Sequence, residues 1–88
     1  MKYPVFTYDD GTEVTASSIS EDDSFRLYIE KWDEERNDFI HLLLQMPEGT
    51  VIENNGYTTD EAVRMCHDYN IIWADIFDYI KEKENESA

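Results

Sequence analysis

Hydrophobic and polar residues alternate along two segments in the first half of the chain, residues 24–32 and residues 39–46. A period of two residues is typical of β-strands, because successive side chains of a strand point to opposite faces of the sheet. The hydrophilic stretch between them, residues 33–38, predicts a connecting loop. Pro47 and Gly49 end the second strand, since proline cannot donate to a strand ladder and glycine favours a turn.

If these two strands pair in antiparallel fashion, symmetrically about the loop, the alternating residues of both strands divide between the same two faces of the sheet. One face is an apolar ladder suited to a core, with Leu27 opposite Leu44 and Ile29 opposite Leu42. The other face carries charged, aromatic and amphipathic side chains, namely Arg26, Tyr28, Glu30, Trp32, Phe39, His41, Leu43 and Gln45. In this register His41 lies opposite Glu30, which predicts a cross-strand ion pair.

Further strands are predicted on both sides of this pair. Residues 3–8 and 12–19 flank a turn with the sequence DDG, and together they predict an N-terminal hairpin. A two-residue loop within that turn places Val5 opposite Ala16. The short segment 50–53, which follows the proline and glycine break, is also predicted to be extended.

The second half of the chain predicts a helix that begins after Thr58 or Thr59, with acidic residues in its first turn. Apolar residues then recur at spacings of four and three, at Ala62, Cys66, Tyr69, Trp73, Ile76 and Ile80. Asn70 could end a first helix by adopting the left-handed conformation. Because the apolar stripe continues in phase across Asn70, one helix is favoured over two.

These elements predict an α+β fold, an antiparallel β-meander of four or five strands with a C-terminal α-helix, continuous or broken near Asn70, packed on one face. The chain of 88 residues is long enough for one domain, predicted over residues 1–83. The polar residues 84–88 are predicted to form a frayed tail.

The formal net charge of −14 changes the range of possible partners. A strongly acidic protein is repelled by phosphate backbones and anionic lipid, so direct nucleic-acid and membrane binding are disfavoured. A basic partner would be attracted, and an acidic mimic of nucleic acid that occupies a basic groove is the alternative interpretation. Cys66 is the only cysteine, which excludes an intramolecular disulfide and predicts a cytoplasmic protein.

No pattern in the sequence predicts an enzyme, a cofactor site or a metal site. The glycines, Gly11, Gly49 and Gly56, are too widely separated for a phosphate-binding loop. Cys66 and His67 are adjacent and would point about 100° apart on a helix, which does not suit zinc. Cys66 lies in the apolar stripe, where burial makes a thiol inert. We therefore expect a binding protein rather than a catalyst.

The sheet face opposite the apolar ladder is the predicted binding surface, because a helix can cover only one face of a small sheet. Its candidate partner-binding residues are Tyr28, Trp32, Phe39, His41 and Leu43. Clustered aromatic residues are enriched at protein interfaces. We expect either a different protein partner or a homodimer on this face, unless the N-terminal hairpin folds over it.

Two short stretches resemble HicB-type antitoxins, residues 1–5 (MKYPV) at the start and residues 56–62 (GYTTDEA) before the helix. The segment between them is longer than in that family, and the family's core motif containing proline and glycine is absent. The resemblance therefore implies no more than partner binding, and no site residue is assigned from it.

Overall fold

A computed structural model describes residues 2–86 of the chain. The elements are β1 (Lys2–Thr7), β2 (Glu13–Ser17), β3 (Phe25–Asp33), β4 (Asp38–Met46), β5 (Thr50–Asn55), α1 (Thr59–Ile71) and α2 (Trp73–Glu86). The five strands form one antiparallel sheet in the order β1-β2-β3-β4-β5, so each strand pairs with its neighbours in sequence. The predicted α+β meander is confirmed, with five strands.

The pairing of β3 with β4 confirms the predicted register at every position, from Phe25 opposite Met46 to Trp32 opposite Phe39. Both helices pack on the apolar face, α1 against β4 and β5 and α2 against β1. The largest fully buried side chains are Phe25, Leu27, Ile29, Leu42, Leu44, Met46, Ile80 and Val14. The period of two along the central strands therefore defines the core.

The N-terminal hairpin has a different register from the predicted one. Tyr3, rather than Val5, lies opposite Ala16, and a β-bulge interrupts the ladder between Pro4 and Phe6. A bulge places two residues of one strand against one of its partner and changes which side chain faces the core. As a result Tyr3 is buried in the core, and Val5 is only partly buried against it.

The hairpin turn is larger than two residues, which accounts for the changed register. The Tyr8 N–H donates to the Thr12 carbonyl at 2.8 Å, and the Gly11 N–H donates to the Tyr8 carbonyl at 3.0 Å. Asp10 Oδ1 accepts the Thr12 N–H at 3.0 Å, so the aspartate side chain closes the turn. The backbone and this side chain together specify a five-residue connection between β1 and β2.

The helical segment is broken, so the favoured prediction of one helix is wrong. The break is at Ile72, with φ −111° and ψ 12°, two residues after the predicted position at Asn70. Asn70 does not adopt the left-handed conformation, which among the described non-glycine residues occurs at Asp23 and Asn37. Ile71 and Ile72 are β-branched and weak helix formers, which favours the break between the two helices.

The break does not interrupt the apolar stripe. Tyr69, Ile76 and Ile80 are buried on both sides of it, and Ile72 and Trp73 pack partly buried against the same core. The Ile72 N–H donates to the Tyr69 carbonyl at 3.2 Å, and the Ile72 carbonyl accepts the Ile76 N–H at 3.2 Å. A single non-helical residue therefore joins two helices that keep the same buried face.

The ends of the helical segment are fixed by side chains. Thr58, one of the two predicted caps, is the N-cap of α1. It forms a capping box in which its Oγ1 accepts the Glu61 N–H at 3.1 Å and Glu61 Oε1 accepts the Thr58 N–H at 3.1 Å. At the other end, α2 continues through Glu86, beyond the predicted tail boundary. Glu84 Oε1 accepts the Ile19 N–H at 2.9 Å, which ties the helix to the β2–β3 connection. Residues 87 and 88 of the predicted tail lie outside the described residues.

Tyr57, which precedes α1, and Tyr69, which lies on α1, are both buried, but their hydroxyls differ in hydrogen bonding. The Tyr57 hydroxyl is buried without a hydrogen-bond partner among residues 2–86, whereas the Tyr69 hydroxyl bonds to that of Tyr8 at 2.8 Å. Burial raises the pKa of Tyr57 to about 12, with further effects from the Asp10 and Glu61 carboxylates, and burial also raises the pKa of Tyr69.

We expect Tyr57→Phe to raise the free energy of unfolding by about 1 kcal/mol, because it removes a buried polar group that has no partner. We expect Tyr69→Phe to lower that free energy by about 1 kcal/mol, because it removes a hydroxyl that is bonded. Urea unfolding followed by circular dichroism measures both changes. A destabilised Tyr57→Phe variant would show that its hydroxyl is hydrogen-bonded in solution.

Candidate functional site

The sheet face opposite the helices, called the open face from here on, is not covered by another element among residues 2–86. The N-terminal hairpin does not fold over it, because β1 and β2 extend the same sheet beside β3. Trp32 and Phe39 are 46% and 47% exposed, and Tyr28, His41 and Leu43 are partly buried. All five predicted partner-binding residues therefore lie together on one accessible face.

Ladder pairing orders the side chains of the open face into rows that run across the strands. The first, the cationic row, contains Lys2, Ser17, Arg26, Gln45 and Thr50. The second, the central row, contains Pro4, Thr15, Tyr28, Leu43 and Glu53. The third, the acidic row, contains Thr7, Glu13, Glu30, His41 and Asn55. Beyond it Trp32 and Phe39 form the aromatic tip.

The aromatic tip is an edge-to-face pair at the end of the β3–β4 hairpin. The ring centroids of Trp32 and Phe39 are 5.1 Å apart, with an interplanar angle of 80°. This geometry is favoured because the positive edge of one ring meets the negative face of the other. Asp33, the last residue of β3, accepts the Glu35 N–H of the adjoining turn at 3.0 Å and lies 3.9 Å from the Arg36 guanidinium. The pair is thus presented on an ordered turn.

Tyr28 is the centre of the open face and contacts three neighbours. Its ring stacks on His41 with a centroid separation of 5.5 Å, and the Lys2 ammonium lies 4.7 Å from the Tyr28 ring centroid. The Tyr28 hydroxyl donates to Glu30 Oε2 at 3.1 Å. Partial burial, and then the hydrogen bond to Glu30 and the nearby carboxylates, raise the pKa of Tyr28. These contacts restrict the orientation of the Tyr28 ring.

His41 lies opposite Glu30 as predicted, but the carboxylate next to its imidazole is a different one. His41 Nε2 is 3.4 Å from Glu53 Oε1 on β5, whereas Glu30 accepts the Tyr28 hydroxyl. β5 has a bulge between Val51 and Glu53, which pair with Leu44 and Leu43, and this bulge puts Glu53 in the central row. The sequence contains no local signal for that bulge, so Glu53 was missed as a member of the surface.

A groove of about 260 Å³ crosses the cationic end of the open face. It is lined by Lys2, Thr15, Ala16, Ser17, Arg26, Tyr28 and Leu43. Arg26 Nε donates to Gln45 Oε1 at 3.4 Å, and the Arg26 N–H donates to Ser17 Oγ at 2.8 Å. Within the described part of the chain neither Lys2 nor Arg26 forms an ion pair with a carboxylate, so both cations are available to negative groups of a partner.

The other residues considered for chemistry lie apart from this face. Cys66 is partly buried on α1, and burial raises the pKa of its thiol, which disfavours the reactive thiolate. His67 is exposed on the same helix. Residues 2–86 contain no group of three or more histidine, cysteine or acidic side chains placed to hold a metal ion. Neither described helix is long and apolar enough to cross a membrane.

Comparisons with known proteins give no further assignment. No family model, no curated protein and no solved structure matches the chain.

Proposed function

We propose that this protein acts by binding another protein surface through its open face and that it is not an enzyme. The observation that carries the proposal is the aromatic tip, in which Trp32 and Phe39 are each about half exposed at an uncovered sheet face. Exposed aromatic rings that adjoin a polar and charged rim are the composition enriched at protein interfaces.

The energetic support comes from the area that these rings still expose. Burying a large aromatic side chain at an interface removes apolar surface from water, and truncating such an anchor commonly costs about 2 kcal/mol or more in binding. The tip is also preorganised, since Trp32 and Phe39 already pack against each other and sit beside an ordered turn. Less conformational entropy is then lost when a partner docks.

The charge of the protein restricts the partner. A net charge of −14 accelerates encounter with a basic protein and opposes encounter with nucleic acid or anionic lipid. We propose that the partner is a protein, either a second copy of this chain or a different protein that carries basic groups. The single cysteine fits a reducing compartment, and we propose a cytoplasmic location.

The test uses the double variant Trp32→Ala, Phe39→Ala beside a matched control, Val63→Ala, Ile71→Ala. Val63 and Ile71 are 62% and 70% exposed on α1, so the control removes exposed apolar side chains from a different surface. Each purified, folded protein is immobilised and used to capture partners from native lysate at low and at high salt. We expect the tip variant to lose at least tenfold in capture and the control to match the wild type.

The salt dependence of binding distinguishes this proposal from the acidic-mimic alternative. Binding through an aromatic anchor persists at high salt, whereas binding of carboxylates to a basic groove weakens steeply as ionic strength rises. Capture that survives in the tip variant and disappears at high salt would overturn the proposal. In that case the acidic loops, and not the open face, would be the binding surface.

A further inference from the structure

The open face carries very little of the negative charge of the protein. It presents two cations, Lys2 and Arg26, and three carboxylates, Glu13, Glu30 and Glu53, a net charge of −1 with histidine neutral. The whole chain has a net charge of −14, so almost all the excess acid lies on the helices and loops. Two copies that meet through their open faces would keep their most acidic surfaces apart.

The charges that remain on the open face are separated along the strands. The cationic row and the acidic row lie on opposite sides of the central row, and on β2, β3 and β4 each is two residues away from it. Arg26 and Glu30 are consequently equidistant along β3 from Tyr28, and on β4 Leu43 lies opposite Tyr28. A twofold rotation about an axis that runs along the central row therefore exchanges the positions of the cationic row and the acidic row.

We propose that the partner of the open face is a second copy of this chain, packed face to face about a twofold axis that runs along the central row. This inference rests on the proposed function and names its partner. In this arrangement Arg26 of each copy faces Glu30 of the other, and Tyr28 and Leu43 pack on their own counterparts. A twofold interface of this kind is self-complementary, so each favourable contact occurs twice.

Trp32 and Phe39 lie beyond the acidic row, at the rim of this interface. Glu53 approaches its own counterpart, but it lies on the exposed edge strand, where solvent screens the repulsion.

The size of the face determines the strength expected of the dimer. Five strands at about 4.8 Å spacing and three rows at about 6.7 Å spacing cover an area of about 24 Å by 20 Å, or roughly 500 Å² per copy. Stable interfaces bury about 800 Å² per partner, and smaller ones are transient. We therefore expect a reversible dimer that is populated at protein concentrations of about 100 µM.

A charge-exchange experiment tests the arrangement directly. Arg26→Glu places two glutamates opposite each other at each Arg26–Glu30 contact, and Glu30→Arg places two arginines there. Both variants are expected to be monomeric at concentrations where the wild type is dimeric. An equimolar mixture restores both ion pairs, so we expect a heterodimer of one copy of each variant, which native mass spectrometry identifies by mass.

The Glu30→Arg variant distinguishes this contact from general charge repulsion. It changes the net charge from −14 to −12, so weaker overall repulsion would strengthen self-association, whereas the proposed contact predicts at least a tenfold weaker dimer. Arg64→Glu on α1 is the control for Arg26→Glu, since it makes the same charge change away from the open face and should leave the dimer intact. Circular dichroism confirms that each variant is folded.

Two outcomes overturn the inference. One is a wild type that stays monomeric at about 100 µM, and the other is a variant mixture that forms no heterodimer. Neither outcome removes the proposed function, which stands if capture of a different protein still depends on Trp32 and Phe39. Loss of that dependence together with loss of the dimer would overturn both.

Discussion

Replacing Gly56 with alanine should lower the free energy of unfolding by about 2–5 kcal/mol. Gly56 joins β5 to the start of α1 with φ +115°, a backbone conformation that residues with a Cβ rarely adopt. A Cβ at this position would overlap Ile40 Cγ2 and lie 2.6 Å from Ile40 Cβ. Backbone strain of about 1–2 kcal/mol therefore adds to an overpacking cost of about 1–3 kcal/mol.

The loss is large relative to the total stability expected of this chain. At about 0.05–0.15 kcal/mol per residue, a domain of this size has a free energy of unfolding of roughly 4–13 kcal/mol. The turn at Gly56 cannot relax easily, because Asn54 brackets Tyr57 with two hydrogen bonds, of 2.9 Å to its carbonyl and 3.0 Å from its N–H. Tyr57 itself is buried.

Gly11→Ala is the matched control for this prediction. Gly11 also has a positive φ, +89°, but an added Cβ there would have no atom within 4 Å. Gly11→Ala should therefore lower the free energy of unfolding only by the backbone strain, about 1 kcal/mol. Urea unfolding of both variants measures the difference, and equal losses would show that Ile40 does not restrict the Gly56 position.

The central part of the fold could be predicted because two independent patterns agree there. The alternation in β3 and the alternation in β4 each define an apolar face, and the pairing symmetric about the loop brings both faces to the same side. A shift of one residue would place Leu27 or Leu44 in solvent and a polar neighbour in the core. The open face and its aromatic residues follow from the same register, which is why the candidate surface could be located from the sequence.

The rest of the sheet could not be predicted because it depends on bulges and distant contacts. The bulge in β1 adjoins Pro4, whose carbonyl accepts the Tyr79 hydroxyl at 2.6 Å from a helix 75 residues later in the chain. The bulge in β5 brings Glu53, and not a neighbouring residue, beside His41. Each bulge changes the register by one residue without a change in hydrophobic pattern, so alternation alone does not reveal it.

Replacing Leu44 with alanine should lower the free energy of unfolding by about 3 kcal/mol, and replacing Leu43 should lower it by about 1 kcal/mol or less. The two leucines are adjacent on β4 but point to opposite faces of the sheet. Leu44 is 0% exposed in the core beneath the helices, so its truncation leaves a cavity that the neighbours cannot fill. Leu43 is partly exposed on the open face, where solvent replaces the lost side chain.

The Leu43→Ala and Leu44→Ala variants also distinguish an effect on stability from an effect on binding. If the open face is the binding surface, Leu43→Ala weakens association several-fold while the protein stays folded, because Leu43 lies in the central row beside Tyr28. Urea unfolding measures stability, and sedimentation or capture at a concentration where the variant is folded measures association. Equal stability losses for the two variants would contradict an uncovered face, since an element packed over Leu43 would make its truncation as costly as that of Leu44.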